Sequence, residues 1–194
     1  LYSEGSALKA PRSCLSKPTT IPIPDAPDRI SLHAEISELP PAAQAWAGGR
    51  AVYRSDLIVR ADAPFRTLED TFGHRAGWTV EHSHSGFNAF RHHLLRYVTP
   101  ARPQLYAEMI GHLVTARAIL DAVVEGRIDV GPLDAYWHAL IARHRPELTA
   151  HVRVVASTDL APMPAFVAAP AMPADAFARL RAAFCATAGR PWFA

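Results

Sequence analysis

The sequence predicts an α/β fold with a mostly parallel sheet, and two observations carry that prediction. From Tyr53 onward, short β-favouring runs alternate with stretches of helical period. Strands separated by helices close as βαβ units, which lay their strands side by side in one direction. Composition agrees: of 194 residues, 49% are hydrophobic and 20% charged, enough apolar matter for a packed core.

The elements follow in order. Residues 1–50 read as irregular, loop-like chain with room for one short strand. Prolines at 18, 22, 24 and 27 block both helix and central strand. "SDLIVRA" (55–61) has the Leu57-Ile58-Val59 run of a buried strand. "FRTLEDTFG" (65–73) predicts a short helix capped by Thr67 and stopped by Gly73. "RAGWTV" (75–80) is the next strand and "GFNAFRHHLLRY" (86–97) the next helix. "LYAEMIG" (105–111) follows as a strand. "TARAILDAVVEG" (115–126) is a helix with Thr115 as N-cap, Ile119, Leu120 and Val123 in helical spacing, and Gly126 as its stop. "RIDVG" (127–131) predicts a strand, then a Gly-Pro turn, then the helix "LDAYWHALIARH" (133–144), ended by Pro146. "HVRVVAST" (151–158) and "PAFVAAP" (164–170) read as strands. "PADAFARLRAAFCATAG" (173–189) reads as a terminal helix between Pro and Gly.

Charge and cysteines narrow the classes. A formal net charge of +2 argues against a nucleic-acid binder, which concentrates basic residues on one face, and is compatible with a small anionic ligand. Near the N-terminus, Lys9 and Arg12 are followed by Pro and polar residues, not by the apolar core of a secretion signal. No stretch approaches the ~20 apolar residues of a membrane span. Cys14 and Cys185 form no CxxC; one long-range disulfide and two free thiols both remain open.

Chemistry concentrates where strands hand over to helices, because ligands of open α/β sheets bind beyond the carboxyl ends of strands. The first joint is His82-Ser83-His84-Ser85-Gly86. Free amides of a helix's first turn, the hydroxyls of Ser83 and Ser85, and Gly86, which lets backbone approach a ligand, together suit a phosphate, phosphonate, sulfonate or carboxylate. The plainer alternative is that Ser85 only caps the helix. At the second joint, "GHLVT" (111–115), His112 either donates to an anion or is a surface histidine. At the third, Asp134 either faces the cleft, where it selects an amine or hydroxyl, or merely complements the helix dipole. No metal is expected: His82/His84 and His92/His93 supply pairs, whereas a zinc site needs three or four convergent ligands. No catalytic residue is assigned, since "SHSG" lacks the first glycine of GxSxG.

The series "YRSDLIVRADAPFRTLED", "HSHSGFNAFRHHLL", "GHLVTARAILDAVVEGRIDVGPLD" and "VRVVASTDLAPMPAFV" resembles the phosphonate-type periplasmic substrate-binding proteins of ABC transporters, a group that takes in sulfonate- and transferrin-like binding proteins. It covers about residues 52–185. The resemblance implies a type II periplasmic binding fold: two α/β lobes joined by two crossing strands and closing on the ligand. Residues 55–61 and about 156–167 would be the crossings, 62–155 lobe two, and 1–61 with 156–194 lobe one. By the same resemblance, Tyr53 is the tyrosine before the first crossing, Ser83-His84-Ser85-Gly86 the anion loop, His112 the histidine of the Gly-x-His segment and Asp134 the acidic residue of the third joint. His84 stands where the family commonly has Thr. Residues 1–50 show no good version of the family's N-terminal βαβ unit, so lobe one is expected to be incomplete.

The resulting expectation is a periplasmic, monomeric solute-binding component without cofactor or covalent step. It captures a small oxyanion such as a phosphonate or phosphate and passes it to a membrane permease. Two alternatives stay open: an enzyme on the same fold acting on a small anionic metabolite, with His82, His84 or His112 as its base, and a ligand-sensing accessory domain.

Overall fold

The structure, a computed structural model, describes residues 45–48, 50, 52–163, 168, 169 and 171–186. Most of the irregular region expected over 1–50, most of the strand expected over 164–170 and the pairing of Cys14 with Cys185 lie outside the described residues. The chain divides into two units, Val52–Pro162 and Leu1–Ala51 with Met163–Ala194.

The first unit is built on strand β2, Ser55–Arg60, buried over its whole length except Arg60. Alternation along a strand sends successive side chains to opposite faces. Leu57 and Val59 therefore join Phe65, Leu68, Phe90 and Leu94 in one core, while Ile58 joins Ile119, Leu120, Val123 and Leu133 in another. A strand buried on both faces is what the continuous run Leu-Ile-Val encodes.

Two strands flank β2, both antiparallel to it: β5, Gly131–Asp134, and β6, Val152–Ser157. Strands β3, Arg75–Gly77, and β4, Glu108–Ile110, pair parallel. A parallel bridge from Ala76 to Val130 ties that pair to the chain entering β5. β3, β4, β5 and β6 therefore run one way and β2 runs against them. Helical periodicity announced the βαβ alternation but carries no information on the direction of a single strand.

Helix α1, Ala89–Leu94, buries Phe90, His93 and Leu94. Helix α2, Ala116–Val124, covers the other face with Ile119, Leu120, Ala122 and Val123. Burying each of its larger side chains contributes roughly 1.5–3 kcal/mol. Its ends are as read from the sequence: the Thr115 hydroxyl accepts from the Ala118 amide at 3.1 Å, and Gly126 takes φ +71. Helix α3, Ala135–His144, is followed by the short helix α4, Pro146–Thr149, which Pro146 begins rather than prevents. A first-turn proline fits because its missing N–H would be unsatisfied there anyway.

Other expectations shift. The helix over 65–73 is a single 3-10 turn, Glu69–Thr71, with Gly73 at φ +84. The strand expected at 127–131 lies later, at Gly131–Asp134, so Gly131-Pro132 is strand and not turn. Pro132 stands opposite Leu57 in the ladder.

A two-residue ribbon closes the unit: β1, Val52–Tyr53, pairs antiparallel with β7, Ala161–Pro162. In the second unit the described residues form one 3-10 turn, Ala45–Ala47, and helix α5, Ala174–Cys185.

Candidate functional site

Because β2 opposes its neighbours, its first residue lies at the same end of the sheet as the last residues of β3, β4, β5 and β6. The three joints read from the sequence, and Tyr53, therefore gather at one rim. Ser55 is paired with Asp134 in the ladder, and the Ser55 amide and carbonyl both bond Thr158, each at 2.9 Å.

The first joint leaves β3 through Trp78 and Thr79 and turns into one π-helical turn, His84–Asn88, continuous with α1. Ser83 is extended and caps that turn, its hydroxyl accepting from the Gly86 amide at 3.0 Å. The cap is thus Ser83 and not Ser85. Among the described residues the Ser85 side chain has no partner; its carbonyl accepts from the Ser55 hydroxyl at 2.8 Å. Asn88 and Ala89 amides close the turn on the carbonyls of Ser83 and His84. The first-turn amides of His84 and Ser85 are the groups that remain for a ligand.

Gly86 is closely packed. A Cβ there would lie 2.0 Å from Thr79 Oγ1 and 2.9 Å from Ser83 Oγ. The glycine admits the Thr79 side chain, and its carbonyl accepts from the Thr79 amide at 3.1 Å.

His84 is exposed and meets the buried Tyr53 ring at a centroid distance of 5.3 Å. Burial raises the Tyr53 phenol pKa, and the Asp134 carboxylate adds to the rise, so Tyr53 remains a hydrogen-bond donor. Asp134 caps α3, with Oδ1 accepting from the amides of Tyr136 and Trp137, both at 3.0 Å. The dipole reading of Asp134 is therefore realised as a cap.

His112 meets the loop through aromatic contacts. Its ring lies 4.9 Å from Trp78, which in turn contacts Phe87 at 4.6 Å. His112 and Val114 adopt φ of 57 and 67, a left-handed conformation that is strained for a β-branched residue. The segment is strapped down by bonds from the Leu113 and Val114 amides to the carbonyls of Trp78 and Thr79, both 3.3 Å. Tyr53, His84 and Ser85 are thus brought together through β1 and β2, whereas His112 approaches through Trp78.

Beside the loop is a cleft of about 580 Å³. His84, Asn88, Arg91, His92 and Leu95 line one side and Thr158–Pro162 the other. Its charged lining is one arginine, Arg91, and one carboxylate, Asp159, the latter paired with Arg96 at 2.6 Å. The sequence reading did not single out Arg91 or Thr158 and considered His92 only as one of a histidine pair; Arg91 and His92 lie one to two turns beyond residues 83–86 on the same helix, a spacing that helical geometry makes legible. Among the described residues no group of three or more His, Cys, Asp and Glu is arranged to hold a metal ion, and no helix is long and apolar enough to cross a membrane.

The architecture is that of the type II periplasmic binding fold. The chain belongs to the family of ABC transporter, phosphonate, periplasmic substrate-binding proteins, whose model matches residues 30–192. That family is a substrate-binding component of transporters and not an enzyme family. Among solved structures, the chain is similar to a binding protein component of an ABC phosphonate transporter (PA3383) from Pseudomonas aeruginosa. The two share 20% identity with a TM-score of 0.56 over 70% of this chain and 46% of that one. It is also similar to XAC2383 from Xanthomonas citri, solved bound to ATP, at 24% identity and a TM-score of 0.52 over 70% and 52% of the two chains. The chain thus matches about half the length of either relative. No curated protein matches the sequence.

Proposed function

We propose that this chain captures a small phosphonate-type oxyanion at the loop Ser83–Gly86 and presents it, in the periplasm, to a membrane permease. The observation that carries the reading is the Ser85 hydroxyl, unpartnered among the described residues, beside first-turn amides and a cleft that Arg91 helps to line. The family supports the ligand class. Ser85 and those amides bind the anion through charge-assisted hydrogen bonds, Tyr53 offers a hydroxyl or an aromatic wall, and His84 adds an imidazole at the rim. His112 and Asp134 complete the candidate set, Asp134 with the oxygen that capping leaves over. Lobe two is residues 62–155, and lobe one is 1–61 with 156–194. The protein acts as a monomer, without nucleic acid, cofactor or covalent step.

Calorimetry with methylphosphonate, 2-aminoethylphosphonate, sulfonates and inorganic phosphate tests this. At least one phosphonate gives a saturable heat, and Ser85→Ala weakens it by about 1–3 kcal/mol. A folded sample silent to the whole panel refutes the reading.

A further inference from the structure

We propose that Ser55 is the positioning residue of the anion loop. Its buried hydroxyl holds the Ser85 peptide in the orientation that leaves the loop's donors facing outward. The inference rests on the reading of residues 83–86 as the ligand site.

Ser55 has no exposed surface and is bonded on every side. Its amide donates to Thr158 Oγ1 at 2.9 Å, its carbonyl accepts from the Thr158 amide at 2.9 Å, and its hydroxyl donates to the Ser85 carbonyl at 2.8 Å. The two main-chain bonds fix where Ser55 stands, so its hydroxyl has one remaining task, which is the loop. A peptide unit is planar. Holding the Ser85 carbonyl from the strand side therefore also sets the direction of the Gly86 amide, which donates to Ser83 Oγ at 3.0 Å. With carbonyl and cap both engaged inward, the Ser85 hydroxyl is left for solvent or ligand.

The neighbouring contact strengthens the assignment. Residues i and i+2 of an extended chain face the same way. Tyr53 lies against His84 and Ser55 bonds Ser85, so two same-side residues of the strand grip two consecutive residues of the loop. The strand is anchored in turn, by the pairing of Val52 and Tyr53 with Pro162 and Ala161 and by the Thr158 bonds. The loop is thus built before any ligand arrives, and preorganisation of this kind raises affinity by removing an ordering cost.

Ser55→Ala and Ser157→Ala separate positioning from ordinary stability. The first removes the bond to the loop; the second removes a β6–β2 side-chain bond, to Asp56, and leaves the bonds of Ser55 and of the loop in place. Amide hydrogen exchange of the ligand-free proteins reads the loop directly. In Ser55→Ala, exchange over residues 83–88 accelerates well beyond that of α2, whereas in Ser157→Ala the two segments change in step. Titration with methylphosphonate and with inorganic phosphate shows Ser55→Ala weakened roughly three- to tenfold relative to Ser157→Ala. Exchange over 83–88 that moves only in step with α2 in Ser55→Ala overturns the assignment, as does an affinity no weaker than that of Ser157→Ala. If the unaltered protein binds neither probe, the ligand reading falls, and the exchange comparison still decides what Ser55 does.

Discussion

At Gly86 an added methyl has nowhere to go. Its nearest neighbours, Thr79 Oγ1 and Cγ2, belong to a short β-branched side chain with no flexible end to move aside. Gly86→Ala is expected to lower stability by about 1–3 kcal/mol, read from urea unfolding, and to displace the loop whose cap bond runs through the Gly86 amide. His93 makes a second prediction. It is 5% exposed, and neither ring nitrogen has a partner among the described residues. Burial, then the nearby Arg96 charge, hold its pKa below the usual 6.5. Folding therefore takes up fewer protons than unfolding just below that value, and stability falls as pH drops through 6.5 toward the folded-state pKa. His93→Leu should remove that acid-side loss and, well above pH 6.5, gain roughly 1–3 kcal/mol by eliminating the unpaired nitrogens. Unfolding midpoints across pH 5–8, a window set around the ordinary histidine value, check both. At this scale residue types were legible and partners were not. Ser83 and Ser85 were both marked, yet which one caps depends on where the π-helical turn begins. Ser55 gave no signal, because a serine opening a strand looks the same whether it bonds water or a loop thirty positions away.

Among elements, β2 is held by more than its ladder. The Asp56 carboxylate, 8% exposed, accepts from Ser157 Oγ on β6 at 2.9 Å and lies 2.9 Å from His138 Nδ1 on α3, with Arg54 Nε at 3.6 Å. Burial alone would raise its pKa, but the bonds to His138 and Ser157, together with the charges of His138 and Arg54, leave it below the usual 3.8. A depressed carboxylate stabilises fully above its unfolded value and loses that contribution as pH falls from 3.8 through the folded-state value. Asp56→Ala is expected to destabilise by about 3 kcal/mol at pH 7 and to flatten the acid limb below pH 4, measured by urea unfolding at several pH values. Elements with strong local signals were the legible ones. The period, cap and stop of α2 are all in its own sequence, whereas β5 was misplaced because Gly-Pro reads as a turn unless the pairing that accommodates it is known.

For the whole molecule, the family predicts a measurable linkage between ligand and stability. A phosphonate present at a hundredfold excess over its dissociation constant adds about 2.7 kcal/mol, so the thermal midpoint should rise with ligand concentration and should rise less in Ser85→Ala. No shift with any phosphonate would contradict the transport reading at this scale. The order of joints was legible from the sequence, since each lies just past a strand end. Their convergence on one rim was not, because it depends on β2 running against its neighbours, and residues fix pairing direction only through long-range contacts.

The ribbon of β1 and β7 carries a consequence of its own. Val52 faces Pro162 and Tyr53 faces Ala161, so the two points at which the chain crosses the boundary of this unit are a single strand spacing apart, about 5 Å. A segment with such adjacent ends is topologically an insertion. Its two ends can be sealed head to tail by a few glycines without stretching a bond inside it.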